Sequence, residues 1–464
     1  PHGEEDGEDT GGRFRGWRGW AMRLLLLVLS PLLVLVLLEG GLRMAGYGYR
    51  TGFFLGPDED GSWSTNHRFG WRFFPRALAR DPHPCTLTGK PPGAIRIFVL
   101  GGSAAMVVPE ASFSFARILA VMLREQYPDT RFEVENGAMT AINSHVTLEI
   151  ARDCALREPD LFIVYSWNNE FLEDRNYRNL KSMSPFASAA SGILARTRTC
   201  AQMKNLLDGL GITSPGSTGD KVDLDEEADT LLEHFGPEAY RRDDQLAARI
   251  REHFRMSLDR MARLARARGA AMVLVKPAVN LKDCSPFKSE PTDGLSRGDL
   301  TRAETAAAAA AEALGAGQLD EALALGDRAL ELDPRNAGHH YLRGRILLLL
   351  GREQEAEAAF YRAAEEDVCP LRIQPAMMDG IESVALERDL TLVDFEMTTV
   401  GDPLIDLAWC MIFWPEEGNL IAIAAPGSPD GMDAEYCQAP ELLVRRYAEA
   451  TGRNMSNFQW YQAF

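Results

Sequence analysis

Ser103 follows the apolar run IRIFVL at 95–100, in the stretch GGSAAM. Two further polar stretches follow comparable runs: NGAMTAINSH at 136–145 after RFEVEN, and SWNNEF at 166–171 after DLFIVYS. A serine hydroxyl, exposed backbone amides and an asparagine amide gathered on one edge supply a nucleophile and an oxyanion hole. In an open parallel sheet such groups collect outside the carboxyl ends of the strands. The residues singled out are Ser103, the turn around Ala141, and Asn169. His145, which ends the second stretch, reads as a surface or supporting histidine rather than as a base.

The elements that must position these groups alternate between strand and helix. After IRIFVL comes FARILAVMLREQY (115–127) at helical spacing, then a strand at 131–136, a helix over 144–157 and a strand at 160–166. A helix over 242–268 and the strand AAMVLVKPAV (270–279) form a further unit. Continuous apolar strands separated by helices predict a parallel sheet covered on both faces. Residues 299–368 differ: Gly317, Ala322 and Ala329 recur as Gly351, Ala356 and Ala363, each 34 residues later. That is the tetratricopeptide period, with small residues where antiparallel helices approach. Two repeats cannot bury a solenoid core alone, so the pair is expected to lean on the α/β domain.

Composition narrows the function. A net charge of −18 over 464 residues excludes a nucleic-acid partner, because phosphate binding needs clustered Lys and Arg. Seven scattered cysteines, with no CxxC pair, argue against zinc, and buried free thiols are favoured over a Cys284–Cys369 disulfide. No cofactor is expected. Arginines 13, 15, 18 and 23 precede the apolar run LLLLVLSPLLVLVLL at 24–38. The expectation is a single-pass inner-membrane anchor at 21–41, with 1–20 cytoplasmic and the bulk of the chain outside the cytoplasm. An extended stalk is expected over 42–93, the α/β domain over 94–298, and a return helix and strand over 369–390.

With these three ordered blocks, the chain over about 20–390 resembles the SGNH/GDSL hydrolases, specifically membrane-anchored members with a tetratricopeptide insertion. The resemblance implies a flavodoxin-like parallel sheet with an α-helical insertion and an N-terminal transmembrane helix. It makes Ser103 the nucleophile and gives Ala141 and Asn169 the oxyanion hole, acting on an acyl or ester substrate. Ala141 stands where the family carries glycine, and Trp167 where its third block also has glycine. The fourth block, Asp-x-x-His, is missing: no histidine occurs beyond His340. An impaired esterase or O-acyl transferase is therefore expected. The alternative is a non-catalytic envelope module binding a protein partner through the repeat.

The strand expected after the helix at 375–388 is TLVDFE, and from there the sequence changes character. Residues 391–464, beginning TLVDFEMTTVGDPLIDLAWCMIFWP, resemble the aminoglycoside and choline phosphotransferases. The resemblance makes Asp394 a Mg²⁺ and ATP-phosphate ligand, with Asp402 and Asp406 bracing the catalytic loop. No glycine-rich phosphate loop and no His-Gly-Asp catalytic loop precede it, so phosphoryl transfer is a second alternative carried by this fragment alone. A join between two folds is expected within about 388–396.

Overall fold

The computed structural model describes residues 11–74, 79–106, 114–171, 194–209, 240–277 and 279–394. The chain divides into two units, 1–82 with 176–229 and 83–175 with 230–464.

The first unit contains α1 (Gly11–Met44) and the short antiparallel pair β1 (Phe54–Leu55) and β2 (Trp63–Thr65). No helix among the described residues is long and apolar enough to cross a membrane. The expected anchor at 21–41 is thus not supported. The continuous apolar stretch of α1 is 15 residues and contains Pro31, short of the ~20 residues that a bilayer core demands. Within the stretch read as an extended stalk, Phe53 and Phe69 are fully buried and meet edge to face at 5.2 Å. Such a cluster has no period for sequence patterning to detect.

The second unit is built on a sheet. Its elements in chain order are β3 (Thr86–Leu87), β4 (Ile95–Gly101), α2 (Ser103–Met106), α3 (Phe115–Gln126), β5 (Phe132–Asn136), α4 (Ser144–Cys154) and β6 (Leu161–Tyr165). After α5 (Arg198–Gly209), which belongs to the first unit, come α6 (Asp244–Ala267) and β7 (Ala271–Lys276). The chain continues through α7 (Arg297–Gly315), α8 (Leu319–Leu332), α9 (Ala337–Leu349), α10 (Glu353–Glu365), α11 (Pro375–Arg388) and β8 (Thr391–Asp394). The five long strands pair in parallel in the order β5-β4-β6-β7-β8. Numbered along the chain this is 2-1-3-4-5, the flavodoxin-like order.

The strands follow the apolar runs because β-branched and aromatic side chains fill both faces of a covered sheet. Phe98, Val99, Leu100, Val164 and Leu274 are at most 3% exposed, and Phe254, Leu258 and Met261 of α6 are buried with them. Arg96 interrupts the first run yet is 2% exposed. Its guanidinium donates to Glu133 at 2.8 and 2.9 Å and to the carbonyls of Thr88 and Arg157, so no charge is buried unpaired.

Helices α7 to α10 form two antiparallel pairs. Gly317 and Gly351 turn each pair, both at φ +76°. Ala322, Ala329, Ala356 and Ala363 are at most 1% exposed, which places small residues at the helix crossings. A Cβ on Gly344 would lie 2.7 Å from the Phe360 ring, so only glycine admits that close packing. The repeat rests on the start of α6: Arg335 Nη1 and Nη2 each donate to Asp244 at 2.8 Å. Residues 395–464 lie outside the described residues, and with them Asp402, Asp406 and most of the phosphotransferase-like stretch.

Candidate functional site

The register of β4 against β6 sets Gly101 opposite Tyr165. The two loops that follow therefore leave the sheet side by side, at the point where strand order reverses. Ser103 opens α2 in the first loop and is exposed. Asn169 lies in the second, and its Nδ2 donates to the Ile142 carbonyl at 3.2 Å. A Cβ added to Gly102 would stand 3.7 Å from that Nδ2 and 3.9 Å from the Ile142 oxygen. Ser103, Ile142 and Asn169 thus line one cleft of about 20 Å³, room for roughly one water-sized group. Gly101 permits this convergence, since a Cβ there would sit 2.1 Å from the Tyr165 carbonyl oxygen.

Ala141 is not part of the cleft wall; its neighbour Ile142 is. Its φ of +54° lies in the left-handed region. The turn demands a conformation that glycine adopts freely and that costs an alanine on the order of 1–2 kcal/mol. Trp167 does not crowd the cleft as a loose ring. Its Nε1 donates to the Val275 carbonyl at 2.6 Å, and the indole meets Phe254 edge to face at 5.3 Å. Trp167 is 4% exposed and closes the wall toward β7.

Several supporting groups hold the cleft loops, and most of them carry no sequence signal for that role. Glu170, 1% exposed, accepts from both the backbone N–H and the hydroxyl of Ser144, locking the third block onto the start of α4. Asn143 caps α4 by accepting from His145 N and Val146 N; the rule that Asn favours helix starts identifies it. Thr147 Oγ1 donates to the Asn143 carbonyl at 3.0 Å and lies 3.0 Å from Ser166 Oγ. Its hydrogen is thereby used, so Ser166 is the donor of that pair. Asn168 accepts from Ile373 N at 3.2 Å, tying the return segment to the same loop.

No histidine lines this cleft among the described residues. His145 packs beside His253 of α6, ring centroids 5.6 Å apart. Burial raises the pKa of the Tyr165 phenol, which lines the cleft and stays a neutral O–H at physiological pH. Asp394 ends β8 in register with Lys276. Three strand spacings, about 14 Å, separate β8 from β4, so Asp394 and Ser103 stand at opposite reaches of one sheet edge. Among the described residues no group of His, Cys, Asp or Glu is arranged to hold a metal ion. Cys284 and Cys369 are not joined in a disulfide.

A tetratricopeptide repeat family model matches residues 325–358. The match runs from the second half of α8 through α9 into α10, taking in Ala329, Gly351 and Ala356 of the periodic residues and ending before Ala363. Among solved structures, the chain is similar to one titled "Crystal Structure of TesA", at 13% identity and a TM-score of 0.21, over 63% of this chain and 99% of that one. No curated protein matches. These comparisons lend the phosphotransferase resemblance of 391–464 no support.

Proposed function

We propose that the sheet carries an SGNH/GDSL-type acyl-transfer site in which Ser103 is the nucleophile and Asn169 the oxyanion donor. The observation that carries this reading is their meeting in one cleft at the reversal of strand order, on the loops after adjacent strands β4 and β6. In the proposed chemistry, Ser103 Oγ attacks an acyl carbonyl and the Asn169 amide donates to the oxygen that becomes negative. The backbone N–H at Ala141–Ile142 is the second donor of the proposal. The hydroxyl proton needs an acceptor, and among the described residues no histidine is placed to take it. The reading is therefore of an acyl site with slow chemistry, since a general base contributes typically ~10²–10⁴-fold.

A serine-directed fluorophosphonate tests this directly. Labelling of the full chain is expected to be slow, lost in Ser103→Ala, and at least tenfold faster when imidazole is added as an external base. Absence of labelling with and without imidazole would remove the acyl reading. Fast labelling without imidazole would show that the chain supplies its own base.

The repeat match favours a second reading, a protein-interaction module held on an α/β platform. Capture of a partner that is lost on deleting 299–368 and indifferent to Ser103→Ala would favour it.

A further inference from the structure

After β7 the chain reaches the helical repeat through a segment with neither helix nor strand, Asn280–Thr292 (NLKDCSPFKSEPT). This strap lies along the repeat and is held as a bound peptide is held. Leu281 packs against the cluster of Leu347, Ala356, Ala359 and Phe360. Tyr341 Oη donates to the Lys282 carbonyl at 2.8 Å. Asp367 accepts from the backbone N–H groups of Phe287 and Lys288 at 2.8 and 3.0 Å. Val368 N donates back to the Lys288 carbonyl at 3.0 Å, and Gly338 N to Ser289 Oγ at 2.8 Å. At the far end Asp333 accepts from Thr292 N and Oγ1, and Arg335 N donates to that same hydroxyl.

The two carboxylates decide what this face can hold. Asp333 is fully buried and Asp367 is 3% exposed. A buried carboxylate is costly unless hydrogen-bond donors surround it, and the strap's backbone supplies donors to both. Departure of the strap strips those donors away, so any replacement must bring backbone N–H groups of its own. It must also fill the apolar recess that Leu281 occupies.

We propose that Asn280–Thr292 is a ligand in cis for the repeat, and that an outside partner engages this face only by exchanging with it. The partner that fits is an extended peptide with a leucine-sized side chain and, six to seven residues on, two consecutive backbone N–H donors, as Leu281, Phe287 and Lys288 present them. This holds irrespective of any chemistry at Ser103.

The test uses the full chain and a fluorescent synthetic peptide of sequence 280–292 carrying C284S. Wild type is expected to bind it weakly, and Leu281→Ala at least tenfold more tightly, because its own strap is the poorer competitor. Where the peptide binds wild type, hydrogen exchange at the strap's Phe287, Lys288 and Thr292 amides should speed up at least tenfold. Should the variant not fold, the wild-type exchange measurement alone decides. Equal binding by both proteins, binding with strap exchange unchanged, or no binding to either would overturn the proposal.

Discussion

The Ser103 cleft and the helical repeat belong to one unit and are built in opposite ways. The repeat joins neighbours in sequence: each helix packs on the next, and its paired glycines and alanines recur at a fixed 34-residue interval. The cleft joins strangers: residues 102–103, 142 and 166–169 meet only because three strands pair in parallel. Polar groups around the repeat are densely satisfied, with Glu366 receiving Arg242, Arg335 and Arg362. Among the described residues, the Asn169 amide lines the cleft and no histidine does. The period of the repeat is encoded locally, yet its buried carboxylates are completed by Arg242 and the 280–292 segment, whereas the cleft draws all of its walls from distant loops.

The sharpest way to break this contrast is Arg242→Ala. Arg242 is 7% exposed at its side chain and donates to Glu366, to the Glu290 carbonyl and to the Arg335 carbonyl. Removing it deprives the 4%-exposed Glu366 of one partner, and about 3 kcal/mol of stability should be lost. The urea midpoint measures this; an unchanged midpoint would mean that the repeat stands without its buried ion network.

A smaller effect of opposite sign is expected at the cleft. Ala141→Gly relieves a left-handed alanine while adding backbone freedom to the unfolded chain, for a net gain of about 0.5–1 kcal/mol. Thermal unfolding reads the gain, and a loss would mean that the alanine methyl packs more usefully than its strain costs.

The smallest effect concerns pH. The hydrogen bonds from Arg335 hold the Asp244 carboxyl below the usual carboxylate range. A depressed folded pKa contributes stability above the unfolded value of ~3.9, which is lost as pH falls through the folded one. Wild type should exceed Asp244→Asn by at most ~1 kcal/mol at pH 6, since Asp244 is largely exposed. The gap should close toward pH 3. Asp367 works the other way: burial raises its pKa, so its contribution is full below ~3.9 and lost as pH rises through its raised value. Comparing urea midpoints of Asp244→Asn and wild type across this range isolates the Asp244 part.

Much of the fold was legible from residue order. The runs read at 95–100, 131–136, 160–166 and 270–279 hold the strands Ile95–Gly101, Phe132–Asn136, Leu161–Tyr165 and Ala271–Lys276, and TLVD forms the fifth, where the hydrolase-like pattern required one. β7 stops at Lys276 because Pro277 offers no N–H to continue the ladder. Less of the site was legible. Ser103 and Asn169 stand out because each follows an apolar run, whereas Glu170 grips Ser144 across 26 residues and looks like any other carboxylate in the chain. The N-terminal anchor was read from the apolar run at 24–38 and the arginines before it, and that run is 15 residues, short of the ~20 that a bilayer core demands.

The sequence by itself determined the period of the repeat, the order of strands and helices, and the type of residue at each strand end. Those are local properties: side-chain shape sets strand or helix, and a 34-residue interval needs no partner to be seen. Tertiary structure alone decided that Ser103 and Asn169 share a cleft, that Trp167 is pinned to Val275, and that residues 280–292 occupy the repeat. Each depends on hydrogen bonds between groups far apart in the chain, whose geometry exists only once the sheet has closed in register.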